Sequence, residues 1–344
     1  MKEKILEMLR ASKHYRSGEE ISSILHISRS AVWKHIRQLR EEGHHIEAVS
    51  SKGYLLHAEA DVLSEQALWD ALGRSGLTGW IKKIDYAPQA DSTNQMARVA
   101  AGAGAPDHTI FMTAHQQAGR GRRGRSWLTE ADLNLTFSLL LRPSITPRDL
   151  APLTLYTGLC VALALNACLN KNVASYRSDQ AQTGTKMVAI KWPNDLVATA
   201  SGKKIGGVLL ESMLEENRVD ALIMGIGVNL NSKAFPDDLQ ASATSVLLET
   251  EQSMRRLDVL CQILQTLQQY EKHMLNRPFW LSEYRKLCLT LNRPVRVITA
   301  SGLEQHGQAL DIDQDGELVI LNELGKKQTV RSGEVSVRGL LGYL

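Results

Sequence analysis

A run of alternating glycines and arginines is the part of this 344-residue chain best suited to chemistry. Residues 119–125 read GRGRRGR, with no acidic residue among them. Glycines let a backbone approach a ligand closely, and arginines present forks of N–H donors that match phosphate and carboxylate oxygens. The run predicts a loop that binds a polyanion or shields a reactive acyl phosphate from water. By position alone, a nucleic-acid-binding segment or a solvated turn is an equally good interpretation.

Residues 119–126 also come within one residue of a phosphate-binding P-loop. That motif needs a lysine where this chain has Arg125, and it needs a helix after the loop. Apolar residues instead alternate downstream, which is the pattern of a strand. They are Leu133, Leu135, Phe137, Leu139 and Leu141. The P-loop interpretation therefore fails.

The sequence KWPND at residues 191–195 is the second candidate for chemistry. Pro193 lacks a backbone donor, so it predicts the end of a strand over residues 188–191. Lys191 at that end can neutralise an anion as a compact point charge. The alternative is an ordinary surface lysine, with Asn194 and Asp195 capping a turn. The sequence contains neither a G-x-S-x-G elbow nor a zinc-like spacing of His and Cys, so nothing in it indicates a protein nucleophile.

Length and composition predict a soluble protein of two or three domains. Hydrophobic residues make up 43% of the chain. The charged N-terminus is unlike a signal peptide, and no uninterrupted apolar run approaches the roughly 20 residues that span a bilayer. The four cysteines lack C-x-x-C spacing, which favours buried thiols in a reducing cytoplasm. We therefore expect a cytoplasmic protein without a membrane partner.

The N-terminal residues 1–57 carry the whole net charge of +3, with ten basic and seven acidic residues. Helices are predicted at 4–12, at 17–25 after a Ser17–Glu20 capping box, and at 28–39. A hairpin with a basic tip at 50–53 follows, which completes a winged helix-turn-helix. Its predicted DNA-binding residues are Arg29, Ser30, Lys34 and Arg37 on the second helix of the motif and Lys52 in the wing. Trp33 fits either the core or the DNA-facing side.

The rest of the chain mixes strands and helices after a short link at 58–63. Strands are predicted at 110–114, 133–141, 205–210 and 222–227, in addition to 188–191. Long apolar helices are predicted at 150–169 and 257–274, with a polar loop at 170–185 that contains a turn at 183–185. Residues 290–344 read as short strands and turns, which suits a small barrel.

Six motifs in order along the chain resemble those of biotin protein ligases, of the bifunctional bacterial kind that also represses the biotin operon. They are DSTN at 91–94, QQA at 116–118 leading into the arginine loop, KWPND at 191–195, KKIGGVLLE at 203–211, GIGVN at 225–229 and GEVSVR at 333–338. The resemblance implies an α/β (α+β) multidomain protein. It would have a winged helix-turn-helix at 1–60, a central mixed-sheet domain of the class II synthetase and biotin-ligase type at 64–287, and an SH3-like β-barrel at 290–344.

The resemblance also implies biotin–(acetyl-CoA-carboxylase) ligase activity. Biotin and ATP would form biotinoyl-5′-AMP, and biotin would then pass to a lysine of the biotin carboxyl carrier protein. Mg²⁺ is expected with ATP, although the sequence does not identify metal ligands. Biotinoyl-AMP would favour a homodimer that binds operator DNA.

The site residues are carried over motif by motif. Lys191 and Arg122 are the predicted catalytic residues. Predicted biotin contacts are Ser92, Thr93, Asn94, Gln116, Gly119, Arg120, Arg122, Lys191, Gly206, Gly207, Gly225 and Gly227. Predicted ATP contacts are Arg122, Arg125, Trp127, Lys191 and Asn229. The resemblance makes Ser92 and Thr93 donors to the ureido ring of biotin, although both also fit a helix N-cap. A flat ligand that lies against the sheet would explain the glycines in the strands. The alternative to an ATP contact for Trp127 is an ordinary aromatic residue of the core.

Two other functions stay open at this point. A ligand-sensing transcription regulator without catalysis would keep the winged helix, but it would not need a cation to stabilise phosphate charge. A lipoate ligase-like enzyme would perform the same type of reaction, but it would not usually carry the winged helix or the arginine loop. The operator sequence and the affinity of the dimer cannot be inferred from the sequence.

Overall fold

The computed structural model of the protein describes residues 1–176, 187–299, 304–331 and 335–339. The chain divides into two compact units, Met1–Val62 and Leu63–Leu344. The predicted turn at 183–185 lies outside the described residues, as do the first two residues of the motif at 333–338.

The first unit is a winged helix. It contains α1 (Lys2–Arg10), α2 (Gly18–Leu25), α3 (Arg29–Glu41) and the antiparallel hairpin β1 (His45–Val49) and β2 (Gly53–Ala58). Its core is apolar: Ile5, Leu6, Leu9, Ile21, Val32, Ile36, Leu39 and Ile46 are buried. Ser17 caps α2 as predicted, because its hydroxyl accepts from the Glu20 amide at 3.0 Å. The other half of the predicted capping box differs, since the Glu20 carboxylate pairs with Arg16.

The second unit contains a mixed seven-stranded sheet with the order β3-β4-β7-β11-β10-β9-β8. Its strands are β3 (Lys83–Ala90), β4 (Thr109–Gln116), β7 (Leu135–Leu141), β8 (Val188–Lys191), β9 (Asp195–Ala198), β10 (Lys204–Glu215) and β11 (Arg218–Val228). A small hairpin of β5 (Gly119–Arg120) and β6 (Ser126–Trp127) lies outside this sheet. β3 and β4 pair in parallel, and the other neighbours pair antiparallel. The predicted mixed sheet is therefore confirmed.

The second unit also contains the helices α4 (Glu65–Arg74), α5 (Thr93–Gly102), α6 (Leu150–Tyr176), α7 (Asp237–Gln240), α8 (Val246–Thr250), α9 (Arg256–Glu271) and α10 (Arg277–Leu287). Helix α5 covers one face of the sheet, and α6 and α9 pack on the other. Neighbouring residues of a strand point to opposite faces. Accordingly, Phe111 packs in the cluster under α5, whereas Ile110 and Met112 belong to the main core that includes α6 and α9.

The long helix α6 differs from its prediction. It runs to Tyr176, so the loop predicted at 170–185 is wrong for its first seven residues, and residues 177–186 lie outside the described part. Residues 147–171 are long and apolar enough to cross a membrane by length and composition alone, although polar residues interrupt them. Their most apolar window is 83% buried inside the protein, which is the property of a core helix.

The C-terminal strands form a five-stranded antiparallel sheet with the order β15-β14-β13-β12-β16. They are β12 (Pro294–Thr299), β13 (Glu304–Ile312), β14 (Leu318–Asn322), β15 (Lys327–Val330) and β16 (Val335–Gly339). The Arg277 guanidinium joins this sheet to the rest of its unit, because it contacts Asp149 at 2.9 Å and Asp315 at 2.8 Å. The four cysteines are buried free thiols, as predicted, and burial raises the pKa of Cys168 to about 12.

Gly53 gives a test of the winged helix. It has a φ of +107°, and a Cβ there would lie 2.1 Å from the Arg16 carbonyl oxygen. We expect Gly53→Ala to destabilise the first unit by about 2 kcal/mol more than Gly43→Ala does, since strain and a backbone clash act together. Gly43 is the matched control, because its φ is +94° and a Cβ would only touch Ala60 at 3.5 Å. Hydrogen exchange of the amides of residues 1–62 measures the difference, and equal effects of the two substitutions would refute this role.

Candidate active site

A cleft of about 590 Å³ opens on the face of the large sheet that carries α5. On β11 this face is filled by Ala221 and Ile223 beneath the helix. The next two positions on the same face are Gly225 and Gly227, which lack side chains, so the cleft continues past the start of α5. Most predicted site residues line it. They are Ser92, Thr93, Asn94, Gln116, Arg120, Arg122, Arg125, Trp127, Lys191, Gly207, Gly225, Gly227 and Asn229. Gly119 and Gly206 are not among the lining residues.

Most of the predicted ligand-facing glycines accommodate the protein's own atoms. A Cβ at Gly225 would lie 2.1 Å from the Asn94 side-chain oxygen, and one at Gly227 would lie 2.7 Å from the Trp127 indole. A Cβ at Gly119 would lie 2.3 Å from the Gln116 side-chain nitrogen, and one at Gly206 would lie 2.7 Å from the Gly227 carbonyl oxygen. Our explanation that a flat ligand requires these glycines is therefore incomplete, because neighbouring side chains and backbone already exclude a Cβ.

The arginine loop is a short hairpin over the cleft. Its strands pair Gly119 with Trp127, and its tip is a 3-10 turn at Arg122–Gly124. Arg122 is partly buried, and its Nη1 donates to the Asn194 side-chain oxygen at 3.1 Å. Burial lowers the pKa of Arg122 below its usual value, while Asp195 opposes that effect. Arg120 and Arg125 are exposed along the rim.

The KWPND segment is the turn between β8 and β9. Lys191 is the last residue of β8 and is only 6% exposed, which excludes the surface lysine that we considered. The Trp192–Pro193 peptide bond is cis. Asn194 does more than cap the turn: its Nδ2 donates to the Val208 carbonyl at 3.0 Å, and its side-chain oxygen accepts from Arg122.

Lys204 is a cleft residue that our site prediction missed. Its Nζ lies 2.5 Å from Asp195 Oδ1 and 5.5 Å from the centre of the Trp127 ring. The only sequence signal was its place in the motif at 203–211. Trp127 lines the cleft rather than the core, and its Nε1 is buried with no partner among the described residues. A buried donor without a partner is costly, which is consistent with a ligand acceptor at that position.

The opposite end of the cleft is a polar cluster at the start of α5. Ser92 makes no capping hydrogen bond there, so the N-cap alternative does not use its hydroxyl. The Thr93 amide donates to Gln116 Oε1 at 3.0 Å, and Asn94 Nδ2 donates to Glu211 Oε2 at 2.8 Å. Ser138 Oγ lies 2.8 Å from Thr93 Oγ1 and 2.6 Å from Asn94 Oδ1. We did not predict Ser138 or Glu211 as site residues; the signals were a lone serine in the apolar strand LTFSLLL and the place of Glu211 at the end of the motif at 203–211.

The predicted DNA-contacting residues all lie exposed on the winged helix. Arg29, Ser30, Lys34 and Arg37 share the outer side of α3, and Lys52 lies in the turn of the wing. Trp33 is 57% exposed beside them, which excludes a core role. The Arg37 guanidinium lies 5.9 Å from the centre of the Trp33 ring, and its Nε donates to Glu41 at 2.8 Å.

Comparisons with known proteins agree with this arrangement. Three family models match in sequence order: an HTH domain over residues 2–55, the biotin/lipoate A/B protein ligase family over 86–229, and the biotin protein ligase C-terminal domain over 290–338. The bifunctional ligase/repressor BirA of Bacillus subtilis is 33% identical over 92% of this chain and 93% of its own. A biotin–(acetyl-CoA-carboxylase) ligase of Mycobacterium tuberculosis is 32% identical over 79% of this chain and 95% of its own.

A solved structure is also similar. The biotin protein ligase from Aquifex aeolicus, in complex with biotin and ATP, is 26% identical and superposes with a TM-score of 0.59, over 75% of this chain and 100% of its own. The identity to the Bacillus protein extends across nearly the whole of both chains, and the family models match in the same order as the winged helix, the cleft and the C-terminal sheet. The chain therefore belongs to the family of bifunctional biotin protein ligase/repressors.

Proposed function

We propose that the cleft joins biotin to ATP as biotinoyl-5′-AMP and then passes biotin to a lysine of the biotin carboxyl carrier protein. The chain is a biotin protein ligase with the DNA-binding unit of a repressor. The observation that carries the catalytic proposal is the burial of Lys191 beside Arg122 and Asn194 in one cleft. A ligand sensor without catalysis would not need a buried lysine at this position.

The first step joins two anions, so it requires cations that are already in place. A carboxylate oxygen of biotin attacks the α-phosphorus, and the bond to the β-phosphate breaks to release pyrophosphate. Lys191 and Arg122 are the residues that we assign to the charge developing at the α-phosphate. Asn194 is a neutral partner, so it orients Arg122 without cancelling its charge. The Trp127 indole would lie beside adenine, with Asn229 binding the nucleotide.

Mg²⁺ would enter with ATP. Among the described residues, no group of three or more His, Cys, Asp or Glu side chains is placed to hold a metal ion. Asp195 is the one carboxylate among the described lining residues, and it already pairs with Lys204. This donor set suits an ion held mainly by phosphates and water, which is how Mg²⁺ usually accompanies ATP.

The winged helix would bind operator DNA through α3 and the wing. The exposed side of α3 combines basic side chains for phosphates with an apolar ring suited to base edges. We propose that biotinoyl-AMP favours a homodimer, so that two winged helices bind the two halves of an operator. Cytoplasmic localisation stays a prediction, supported by the four buried free thiols.

Lys191 is tested by separating the two chemical steps. We expect Lys191→Ala to slow pyrophosphate release about a hundredfold, because a preplaced cation is lost where negative charge develops. Transfer from supplied biotinoyl-AMP to the carrier should slow much less. Lys82→Ala is the control, since Lys82 is exposed and, among the described residues, its ammonium bonds to the Gly79 carbonyl alone. An unchanged burst of pyrophosphate in Lys191→Ala would remove Lys191 from the mechanism.

The DNA-facing side of α3 is tested by salt dependence on an operator selected from random DNA. Lys34→Ala should weaken binding and reduce the slope of log K against log salt by about 1, because one phosphate contact is lost. Trp33→Ala should weaken binding while leaving the slope unchanged, since an apolar contact releases no counterions. Biotin transfer should be normal in both variants. Wild-type affinity in both would refute the assignment of this side to DNA.

The hairpin is tested by proteolysis and sedimentation. Biotin with ATP should protect the peptide bonds after Arg120, Arg123 and Arg125 from trypsin, because bound phosphate orders exposed arginines through charge-assisted hydrogen bonds. The same samples should contain more dimer. Protection without any change in sedimentation would leave the ligase proposal intact but contradict ligand-driven dimerisation.

A further inference from the structure

The polar end of the cleft contains a chain of hydrogen-bonded side chains. A residue outside the cleft determines which side chain donates and which accepts at each step. The members of the chain are Glu211, Asn94, Ser138 and Thr93, joined by contacts of 2.8, 2.6 and 2.8 Å. Only Asn94 and Thr93 line the cleft. We propose that Glu211 and Ser138 are positioning residues that make the Thr93 hydroxyl an acceptor for an N–H group of the ligand. This inference rests on the proposed function, in which that N–H belongs to the ureido ring of biotin.

Glu211 sets the first step of the chain. A carboxylate has only acceptors, so the group that faces it must donate. Asn94 Nδ2 lies 2.8 Å from Glu211 Oε2 and 3.4 Å from the carbonyl oxygen of Leu209, which is also an acceptor. Arg98 pairs with the other Glu211 oxygen at 3.5 Å. Both neighbours of Nδ2 therefore fix the Asn94 amide in one orientation, and its oxygen must face Ser138 and Gly225.

Ser138 transmits this orientation. Its side chain is fully buried on β7, and its hydroxyl lies between Asn94 Oδ1 and Thr93 Oγ1. A hydroxyl has one proton, and an amide oxygen cannot supply another. The Ser138 proton is therefore directed to Asn94, at the shorter distance of 2.6 Å. The Ser138 hydroxyl is also placed to donate to Thr93 at 2.8 Å, but its one proton serves Asn94, so the contact with Thr93 is completed by the Thr93 proton pointing at the Ser138 oxygen.

Thr93 is the end of the chain that meets the ligand. With its proton directed at Ser138, its oxygen offers only lone pairs to the cleft. The neighbouring Gln116 Oε1 is itself an acceptor, already bonded to the Thr93 amide at 3.0 Å and 3.5 Å from the Thr93 hydroxyl. A ligand acceptor at this point would leave two oxygens facing each other without a proton. The family resemblance made Thr93 a donor to the ureido ring, and the direction of this chain reverses that role.

The experiment measures ligand affinity directly, without ATP. The probes are biotin and its two carbamate analogues, in each of which one ureido N–H is replaced by a ring oxygen of nearly the same size. Wild-type protein should bind one of the two analogues at least about tenfold more weakly than biotin, because an N–H bond becomes an oxygen–oxygen contact. Calorimetry gives the three affinities.

Two variants test whether the discrimination comes through the chain. Ser138→Ala releases the Thr93 proton, and Glu211→Leu removes the acceptor that orients Asn94. In each, the preference for biotin over that analogue should fall about threefold or more, a loss expected for one neutral hydrogen bond. The kcat at saturating biotin should change less than KM. Thr109→Val is the control: it also removes a fully buried hydroxyl, one that bonds to the Pro106 carbonyl, and the preference should stay as in wild type.

The outcomes separate this inference from the proposed function. If wild-type protein does not bind biotin, the proposed function fails. If it binds biotin and tolerates both analogues equally, or if Ser138→Ala and Glu211→Leu discriminate as wild type does, the proposed role of the chain is wrong and the ligase is unaffected. A loss of discrimination in Thr109→Val as large as in Ser138→Ala would also overturn it, because the effect would then follow from any lost buried hydroxyl.

Discussion

The turn between β8 and β9 is the part of the structure on which the active site depends, because it holds cations where they would otherwise repel each other. Lys191 ends the first strand, Asn194 binds Arg122, and Asp195 pairs with Lys204. Each cation is thus positioned by one short segment before any anion arrives. A site with this arrangement does not have to reorganise when charge develops on a phosphate, and preorganisation of that kind is usually the largest contribution to catalysis.

The turn is held in place from behind by the C-terminal part of the chain. Trp192 is buried, and its Nε1 donates to the Gly316 carbonyl at 3.0 Å, in the loop that precedes β14. The backbone on either side of Lys191 is also bonded: the amide of Leu289 donates to the carbonyl of residue 190, and the amide of Trp192 donates to Thr290 Oγ1. The C-terminal part of the chain therefore contributes to the geometry of Lys191, although none of its described residues lines the cleft. These contacts are among those that join Leu63–Leu344 into one compact unit.

The sequence was informative where the signal is local. The end of β8 at Lys191 follows from Pro193, and the amphipathic helices of the winged helix follow from their apolar spacing. Roles that depend on contacts distant in sequence could not be read in this way. Ser138 and Asn94 are 44 residues apart, and Glu211 lies on a third element. The sequence therefore did not indicate that Ser138 and Glu211 both contact Asn94. The glycines were recognised as unusual, but the reason at Gly225 and Gly227 is the placement of Asn94 and Trp127. Helix α6 runs past its predicted end because the helix propensity of a polar stretch is only a weak indicator, which tertiary context can override.

The two ends of the cleft differ in whether their polar side chains already have hydrogen-bond partners. This difference relates ligand recognition to regulation. At the end of the cleft that we propose binds the ureido ring, the Thr93 amide, the Asn94 side-chain amide and the Ser138 hydroxyl are already hydrogen-bonded to neighbours, so these groups are positioned before a ligand binds. At the phosphate end, the exposed arginines of the hairpin gain their strongest partners only when an anion is present. Biotin alone would therefore occupy the prearranged ureido end and change little elsewhere. Biotinoyl-AMP would also order the hairpin. A ligand shifts an equilibrium such as dimerisation only if it binds the monomer and the dimer with different affinity. On the proposed function, the reaction intermediate rather than free biotin is the species that would report biotin supply to the DNA-binding unit.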